Sequence, residues 1–430
     1  MKTFLKNEAV LADCKIYQML SSHLEKAHLS FHTPGHKVGR WDITELSFSD
    51  NLSCPRGCIA EAERDIAKIL GAEKSFILTD GSTAGVLSML YTAKSLGVKT
   101  LAVCEASHKS VFNGCAALGL EPLVYPCVYH GKIPYLPTMY ALKQEYPHIL
   151  QQADALFFTS PDYYGNVADW QGIREYCDQT NKLLIVDGAH GGHLHFDKTK
   201  TKHAGGYADL WVDGVHKSLP ALTQGAVVSA RTRHTAEVLA RAVDIFRTTS
   251  PSYPIMASVE YAVKYPQNAA LESAVAAFAQ HPRVYKNEDW TKLCVRFGKA
   301  AFEVEKWLES QGIYAEFCDG NVLTFYLSPA TDLQDFEHLQ AILSDLFVRY
   351  PLEEIQEEAS DVFIPKTEAE WVELDKAEGR ICAGFCGLFP PCTPLFHIGE
   401  KISGDKIEKL QRANNVFGLK DGKISVYKEG

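Results

Sequence analysis

Between residues 75 and 212 the chain alternates short apolar runs with helical stretches, and no other feature restricts its fold as much. Ser75–Leu78, Thr100–Cys104, Leu123–Val128, Ala155–Thr159, Leu183–Val186 and Leu210–Val212 are apolar runs of strand length. Helical patterns run from Ala84 to about Ser95, after His108, near Met139–Tyr146 and after Trp170. Such alternation requires crossover connections, hence a mostly parallel sheet with helices on both faces. Upstream, Val10, Leu11, Ile16, Tyr17, Leu20 and Leu24 recur at helical spacing and predict one amphipathic helix over 7–27. Glu61–Leu70 reads as a helix closed by Gly71. Beyond about Arg231 the pattern changes. Helical stretches fill 233–312, with Pro251 and Pro254 breaking the first. A smaller α/β region then follows: strand Val322–Leu327, helix Leu333–Val348, strand Val362–Ile364 and a helix near Lys401–Leu410.

Composition narrows the function classes. At 430 residues the chain exceeds one ordinary core, so two or three structural units are expected. With 46% hydrophobic and 22% charged residues it has a globular profile. A formal charge of −10 argues against nucleic acid or an anionic membrane as the main partner. No apolar run reaches the roughly 18 residues that a membrane helix needs. The opening MKTFLKNEAVLADCK lacks the uninterrupted apolar core of a signal peptide, so a cytoplasmic protein is expected. The twelve cysteines include no CxxC pair. Cys54/Cys58 and Cys382/Cys386 have weak metal spacing, and several others (Cys104, Cys115, Cys127, Cys294) lie within apolar runs, which reads as reduced thiols.

In an open parallel sheet, ligands bind beyond the carboxyl ends of the strands. Four stretches fall at such ends. In Asp80-Gly81-Ser82-Thr83-Ala84-Gly85, small residues, hydroxyls and a helix start suit a phosphate; an ordinary helix cap is the alternative. In Ser107-His108-Lys109-Ser110, the histidine can stack on a flat heterocycle or handle protons, or merely cap a helix. Asp187 closes an apolar run at the head of Gly188-Ala189-His190-Gly191-Gly192-His193-Leu194-His195. A carboxylate there can hold a pyridinium nitrogen protonated, and Ala189 leaves room beneath a ring. The three histidines invite zinc, but they sit in a Gly-rich turn without HExxH helical spacing, so no metal is expected. Last comes Lys217, between the run ending at Asp213 and Gly225-Ala226-Val227-Val228, with His216 beside it as a phosphate donor. A lysine in apolar surroundings loses its proton readily and becomes a nucleophile, whereas a surface-loop lysine is the plain alternative. Phosphate loop, stacking histidine, strand-end aspartate and lysine, in that order, match the aminotransferase-like fold type I of pyridoxal 5'-phosphate (PLP) enzymes.

The resemblance narrows further. FHTPGHKVGR (31–40), DITELSFSDNLSCPRGCIAEAE (42–63), DGSTAG (80–85), SHKSV (107–111), TSPDYYGNVADW (159–170), VDGAHGGHLHF (186–196), VHKSLPALTQGA (215–226) and EGRICAGFCGLFPPCTPLFHIGE (378–400) together resemble the Orn/Lys/Arg decarboxylase family in its short bacterial form. The resemblance implies a three-layer αβα large domain with a smaller C-terminal α/β domain. It implies Lys217 as the Schiff-base lysine, Asp187 on the pyridine nitrogen, His108 on the ring face and His190 near the ring hydroxyl. Gly81, Ser82, Thr83 and His216 would take the phosphate, with Ala189 under the ring. The expected organisation is an N-terminal helix and interface segment (1–60), a PLP-binding domain (61–250), a helical connection (251–312) and a small domain (313–430).

The implied activity is decarboxylation of arginine, lysine or ornithine to CO₂ and a polyamine-type amine. The implied assembly is a homodimer or larger, with active sites at the interface. The chain departs from the family's usual residues at Asp162, at Asp213-Gly214 (read as a lost phosphate hydroxyl), and at Phe389 and Cys392-Thr393. Two rival readings stay open. One is another fold type I enzyme, an aminotransferase or lyase, in which Arg380 clamps a carboxylate; a structural ion pair is the other reading of Arg380. The second is a catalytically silent regulatory homologue.

Overall fold

The computed structural model describes residues 5–25, 29–37, 41–130, 133–351, 369–389, 394–396, 400–413 and 415–428. The predicted strand Val362–Ile364, the end of FHTPGHKVGR and the departure at Cys392-Thr393 lie outside them.

Seven strands form the large sheet: β1 (Lys74–Leu78), β2 (Thr100–Cys104), β3 (Glu121–Tyr125), β4 (Ala155–Thr159), β5 (Leu183–Gly188), β6 (Leu210–Asp213) and β7 (Ala226–Ala230). Their order is β1-β7-β6-β5-β4-β2-β3. The β2–β6 pairings are parallel, and β7 runs against both β6 and β1. Side chains alternate between two buried cores, as a sheet covered on both faces requires. Leu101, Val103, Phe157 and Ile185 face the core under helices Gly81–Ser95 and Arg233–Phe246. Ala102, Leu156, Phe158, Leu184 and Val186 face the opposite core, which helices Cys58–Leu70, Trp170–Thr180 and Tyr253–Val263 close.

A second unit packs β8 (Lys292–Arg296), β9 (Phe317–Cys318) and β10 (Val322–Tyr326) antiparallel, in the order β8-β10-β9. Helices Ala301–Ser310 and Leu333–Arg349 share its core. Farther along, Ala369–Glu373 pairs with Lys423–Tyr427, and helix Gly404–Arg412 covers a separate small core.

Three local expectations change. The stretch 7–27 is two helices, Glu8–Leu11 and Lys15–Leu24. The fully buried Glu260 carboxylate accepts from Lys15 N at 2.8 Å and Ile16 N at 2.9 Å, so a carboxylate from another helix caps the second one. The run Leu123–Val128 splits at Pro126, which has no N–H for a ladder: β3 ends at Tyr125, and Val128–His130 pairs instead with Ile133–Tyr135. Within the helical stretch read over 233–312, Lys292–Arg296 is a strand.

Candidate functional site

The lysine turn fixes the centre of the site. Val215–Ser218 is a single helical turn after β6, anchored by His216 N donating to Gly225 O at 3.1 Å and Lys217 N to Gly214 O at 2.9 Å. Lys217 Nζ donates to His190 Nε2 at 3.0 Å and lies 5.7 Å from the centre of the Tyr163 ring. Both groups face a cavity of about 180 Å³. Gly81, Ser82, Thr83, His108, Asp187, Ala189, His190, His216 and Lys217 all line it. Residues separated by more than a hundred positions meet there because β1, β4, β5 and β6 all end on this side of the sheet.

Each wall has a local cause. Gly81 adopts φ +76°, a left-handed turn natural to glycine, and its N–H donates to Gln224 O at 2.9 Å. That turn opens the 15-residue helix Gly81–Ser95 toward the cavity, with Ser82 and Thr83 in its first turn. Asp187 lies at the end of β5 beside Thr159 of β4, buried, and its Oδ1 accepts from Ala189 N at 3.0 Å. Burial pushes its carboxyl upward, and the Lys217 charge opposes this. His108 caps helix Lys109–Leu118, its Nδ1 accepting from Ser110 N at 3.2 Å. Burial, with Lys217 adding to it, lowers the His108 imidazole to about 4. His190 is held well below its ordinary value, first by burial and then by Lys217 and Lys292. His216 is also lowered by burial, although its contact with Gly225 O opposes the shift. The imidazoles around Lys217 are therefore neutral near pH 7.

Among the described residues, three buried polar atoms on the cavity wall have no hydrogen-bond partner: Ser82 Oγ, Thr159 Oγ1 and His190 Nδ1. Buried polar atoms are normally satisfied. Hydroxyls at a helix start, a strand-end carboxylate and a lysine amine around one small cavity fit the phosphate, ring nitrogen and aldehyde of PLP.

Several walls were not singled out from sequence. Ser110, Thr159, Tyr163, Thr223 and Gln224 also line the cavity. Tyr163 lies within the quoted TSPDYYGNVADW stretch, and its ring sits 4.4 Å from that of His190. The remaining histidines of the Gly-rich turn diverge: His193 Nε2 contacts Asp289 Oδ1 at 2.7 Å, and His195 Nδ1 turns to Gly192 O. Among the described residues no three His, Cys, Asp or Glu side chains gather as a metal site.

The departures also find places. Asp162 forms a turn, its carboxylate accepting from Tyr164 N, Asn166 N and Asn166 Nδ2 at 2.9, 3.0 and 2.7 Å. Asp213 faces away from the lysine turn, toward His203 at 3.1 Å and Trp211 Nε1 at 3.1 Å. A side chain on Gly214 would put its Cβ 2.3 Å from Ala189 O and 2.8 Å from Ser82 Oγ. Glycine there is thus demanded by close approach. Arg380 pairs with Glu370 at 2.7 Å and donates to Tyr427 O at 2.9 Å, outside the cavity lining. Phe389 is half exposed.

Comparison with known proteins agrees with this geometry. The family model for the Orn/Lys/Arg decarboxylase major domain matches residues 14–288. The arginine decarboxylase of Bacillus subtilis is 25% identical over 457 residues, covering 92% of this chain and 92% of its own. An uncharacterised protein of the same organism, YaaO, is 27% identical over 453 residues, covering 92% and 93%. Among solved structures, the constitutive lysine decarboxylase of Escherichia coli aligns with a TM-score of 0.72 at 18% identity, over 97% of this chain and 82% of that one. The architecture is the fold type I arrangement of PLP enzymes. With the family model matching well over half of its length, the chain belongs to the Orn/Lys/Arg decarboxylase family.

Proposed function

We propose that this protein is a PLP-dependent decarboxylase of a basic amino acid, arginine, lysine or ornithine, releasing CO₂ and the corresponding amine. The observation that carries the reading is one cavity shared by the Lys217 amine, the buried Asp187 carboxylate and the Ser82-Thr83 helix start. When bound, PLP supplies the electron sink that loss of CO₂ requires. The chain's own residues do the rest. Lys217 Nζ would hold the cofactor through its aldehyde. Ser82, Thr83 and His216 hold the phosphate at the helix start, with Gly81 turning the backbone toward it. Asp187 would face the ring nitrogen and favour its protonated form in low dielectric; burial raises its carboxyl, and the Lys217 charge opposes this. Ala189 and His108 would hold the ring, and His190 orients the Lys217 amine. After CO₂ leaves, Lys217 Nζ would return a proton to the substrate Cα; His108, held neutral near pH 7, is the weaker donor.

Within this reading the protein is a cytoplasmic enzyme of polyamine synthesis. It works as a homodimer or larger assembly with active sites at the interface. Leu29 and Phe31, 84% and 90% exposed beside the HTPGHK loop, support an apolar contact there.

The test is to incubate the PLP-loaded protein separately with arginine, lysine and ornithine, following CO₂ and amine by mass spectrometry. One substrate should give CO₂ and amine in equal amounts, and Lys217→Ala should abolish both. CO₂ from none of the three, in protein that retains bound PLP, would remove these substrates and favour another PLP reaction.

A further inference from the structure

Behind His190 lies a buried charge cluster that the steps above do not use. Lys292 opens β8, and neither its side chain nor that of Asp289 has any exposed surface. Its Nζ donates to Thr291 Oγ1 at 3.0 Å, lies 3.4 Å from Asp289 Oδ2 and sits 4.3 Å from the centre of the Tyr326 ring. Asp289 Oδ1 accepts from Thr291 N at 2.9 Å and Thr291 Oγ1 at 2.7 Å, and contacts His193 Nε2 at 2.7 Å. Apolar residues of the same volume would hold such a joint as well or better, because desolvating two charges offsets most of their attraction. The charges therefore call for a role beyond packing.

Contiguity supplies one. The Tyr326 ring, which Lys292 touches on one side, stands edge-on to the His190 ring at 5.5 Å and 82°. His190 in turn accepts the Lys217 amine. The groups around His190 are Lys217 and His216 of the lysine turn, His108 of the neighbouring loop, Tyr163, and Tyr326 with Lys292 from the second unit. Of the two lysines among them, Lys217 lines the cavity and Lys292 does not.

We propose that Lys292 is a positioning residue for Lys217: through Tyr326 its fixed cation keeps His190 uncharged, so that Nε2 remains an acceptor for the Lys217 amine. Asp289, Thr291 and His193 hold Lys292 in that position. Burial also disfavours the imidazolium, and the Lys292 field adds to it. A protonated His190 would have no lone pair to offer at Nε2 and would repel the ammonium form of Lys217. The inference rests on the reading of Lys217 as the cofactor-bearing lysine.

The experiment uses full-length cofactor-free protein carrying ¹³C at histidine Cε1, with the His190 resonance assigned through His190→Asn. Lys292→Met should raise the His190 protonation midpoint by about one pH unit, a tenfold gain in proton affinity. Lys292→Arg should restore the wild-type midpoint. In parallel, borohydride trapping of PLP on Lys217 near neutral pH should slow in Lys292→Met and recover in Lys292→Arg. A folded Lys292→Met whose His190 titrates as in the wild type overturns the proposal. Should that variant not fold, Lys292→Gln, which removes the charge and keeps a donor for Thr291 Oγ1, takes its place, and a rise of the same sign is required of it. The titration needs neither substrate nor turnover, so its failure is separable from a failure to decarboxylate.

Discussion

Gly214 shows how a single absent side chain can be read in two ways. From sequence it is a lost hydroxyl next to the phosphate site. In the structure it is where the Ala189 carbonyl and the Ser82 hydroxyl close on the backbone, leaving 2.3 and 2.8 Å to any Cβ. Restoring the hydroxyl should therefore do harm. Gly214→Ser is expected to lower unfolding free energy by about 1–3 kcal/mol, as overpacking does, and to weaken PLP retention because Ser82 must shift. Urea denaturation and spectroscopic titration with PLP measure the two effects; wild-type values in both would show that the backbone yields at no cost. That Lys217, Asp187, His108 and Ser82 gather at one cavity was legible, because strand-end position brings them to the same side of the sheet. Lys292 and Asp289 were not. Asp289 meets His193 across 96 residues, and nothing in the Lys292–Arg296 stretch distinguishes a buried cation from a surface one.

Among the elements, helix Cys58–Leu70 carries a buried charge of its own. Glu63 accepts from Ile77 N of β1 at 3.1 Å and lies 3.5 Å from Arg247 Nη1, at the end of helix Arg233–Phe246. Burial pushes the Glu63 carboxyl up to about 7, with Arg247 opposing. A carboxyl with a raised folded-state pKa binds its proton more tightly in the folded chain. Its contribution is therefore largest at acidic pH and is lost as pH rises from about 4.5 to about 7. Over that window wild-type stability should fall relative to Glu63→Gln by up to about 3 kcal/mol. Urea denaturation of both proteins at about pH 5 and about pH 8 gives the comparison, and parallel curves would show that Glu63 stays ionised throughout. Elements of the large sheet were legible for the same physical reason that they are stable. Strands covered on both faces are continuous apolar runs, so β2 and β4 stand where the sequence places them. Boundaries set by distant groups were not legible: the helix break before Lys15 depends on Glu260, which lies 245 positions away.

At the scale of the whole molecule, the Tyr163 wall of the cavity is backed by the second unit. Tyr163 and Tyr164 from the large unit pack with Phe317 and Val322 of the second, and Tyr164 Oη donates to Asp319 at 2.8 Å. The alternation of strands and helices predicted the large unit, whereas this joint arises from side chains far apart in sequence and had no local pattern to announce it. The N-terminal segment poses the opposite problem. Leu29 and Phe31 are apolar, exposed and adjacent to the HTPGHK loop, where His36 pairs with Asp42 at 3.0 Å. In an isolated chain, Phe31→Asp at an exposed position would change stability by no more than about 0.5 kcal/mol. If Phe31 is instead an anchor of the proposed dimer, its loss removes about 2 kcal/mol or more of association energy, roughly a thirtyfold weaker complex. Sedimentation velocity over a concentration series should therefore show Phe31→Asp dissociating where the wild type remains dimeric, with thermal stability of the dissociated chain unchanged. Equal sedimentation of the two proteins would place the subunit contact elsewhere on the surface. Decarboxylation measured on the same samples adds a functional consequence: if the proposed sites are shared between subunits, activity should fall in step with the dimer fraction.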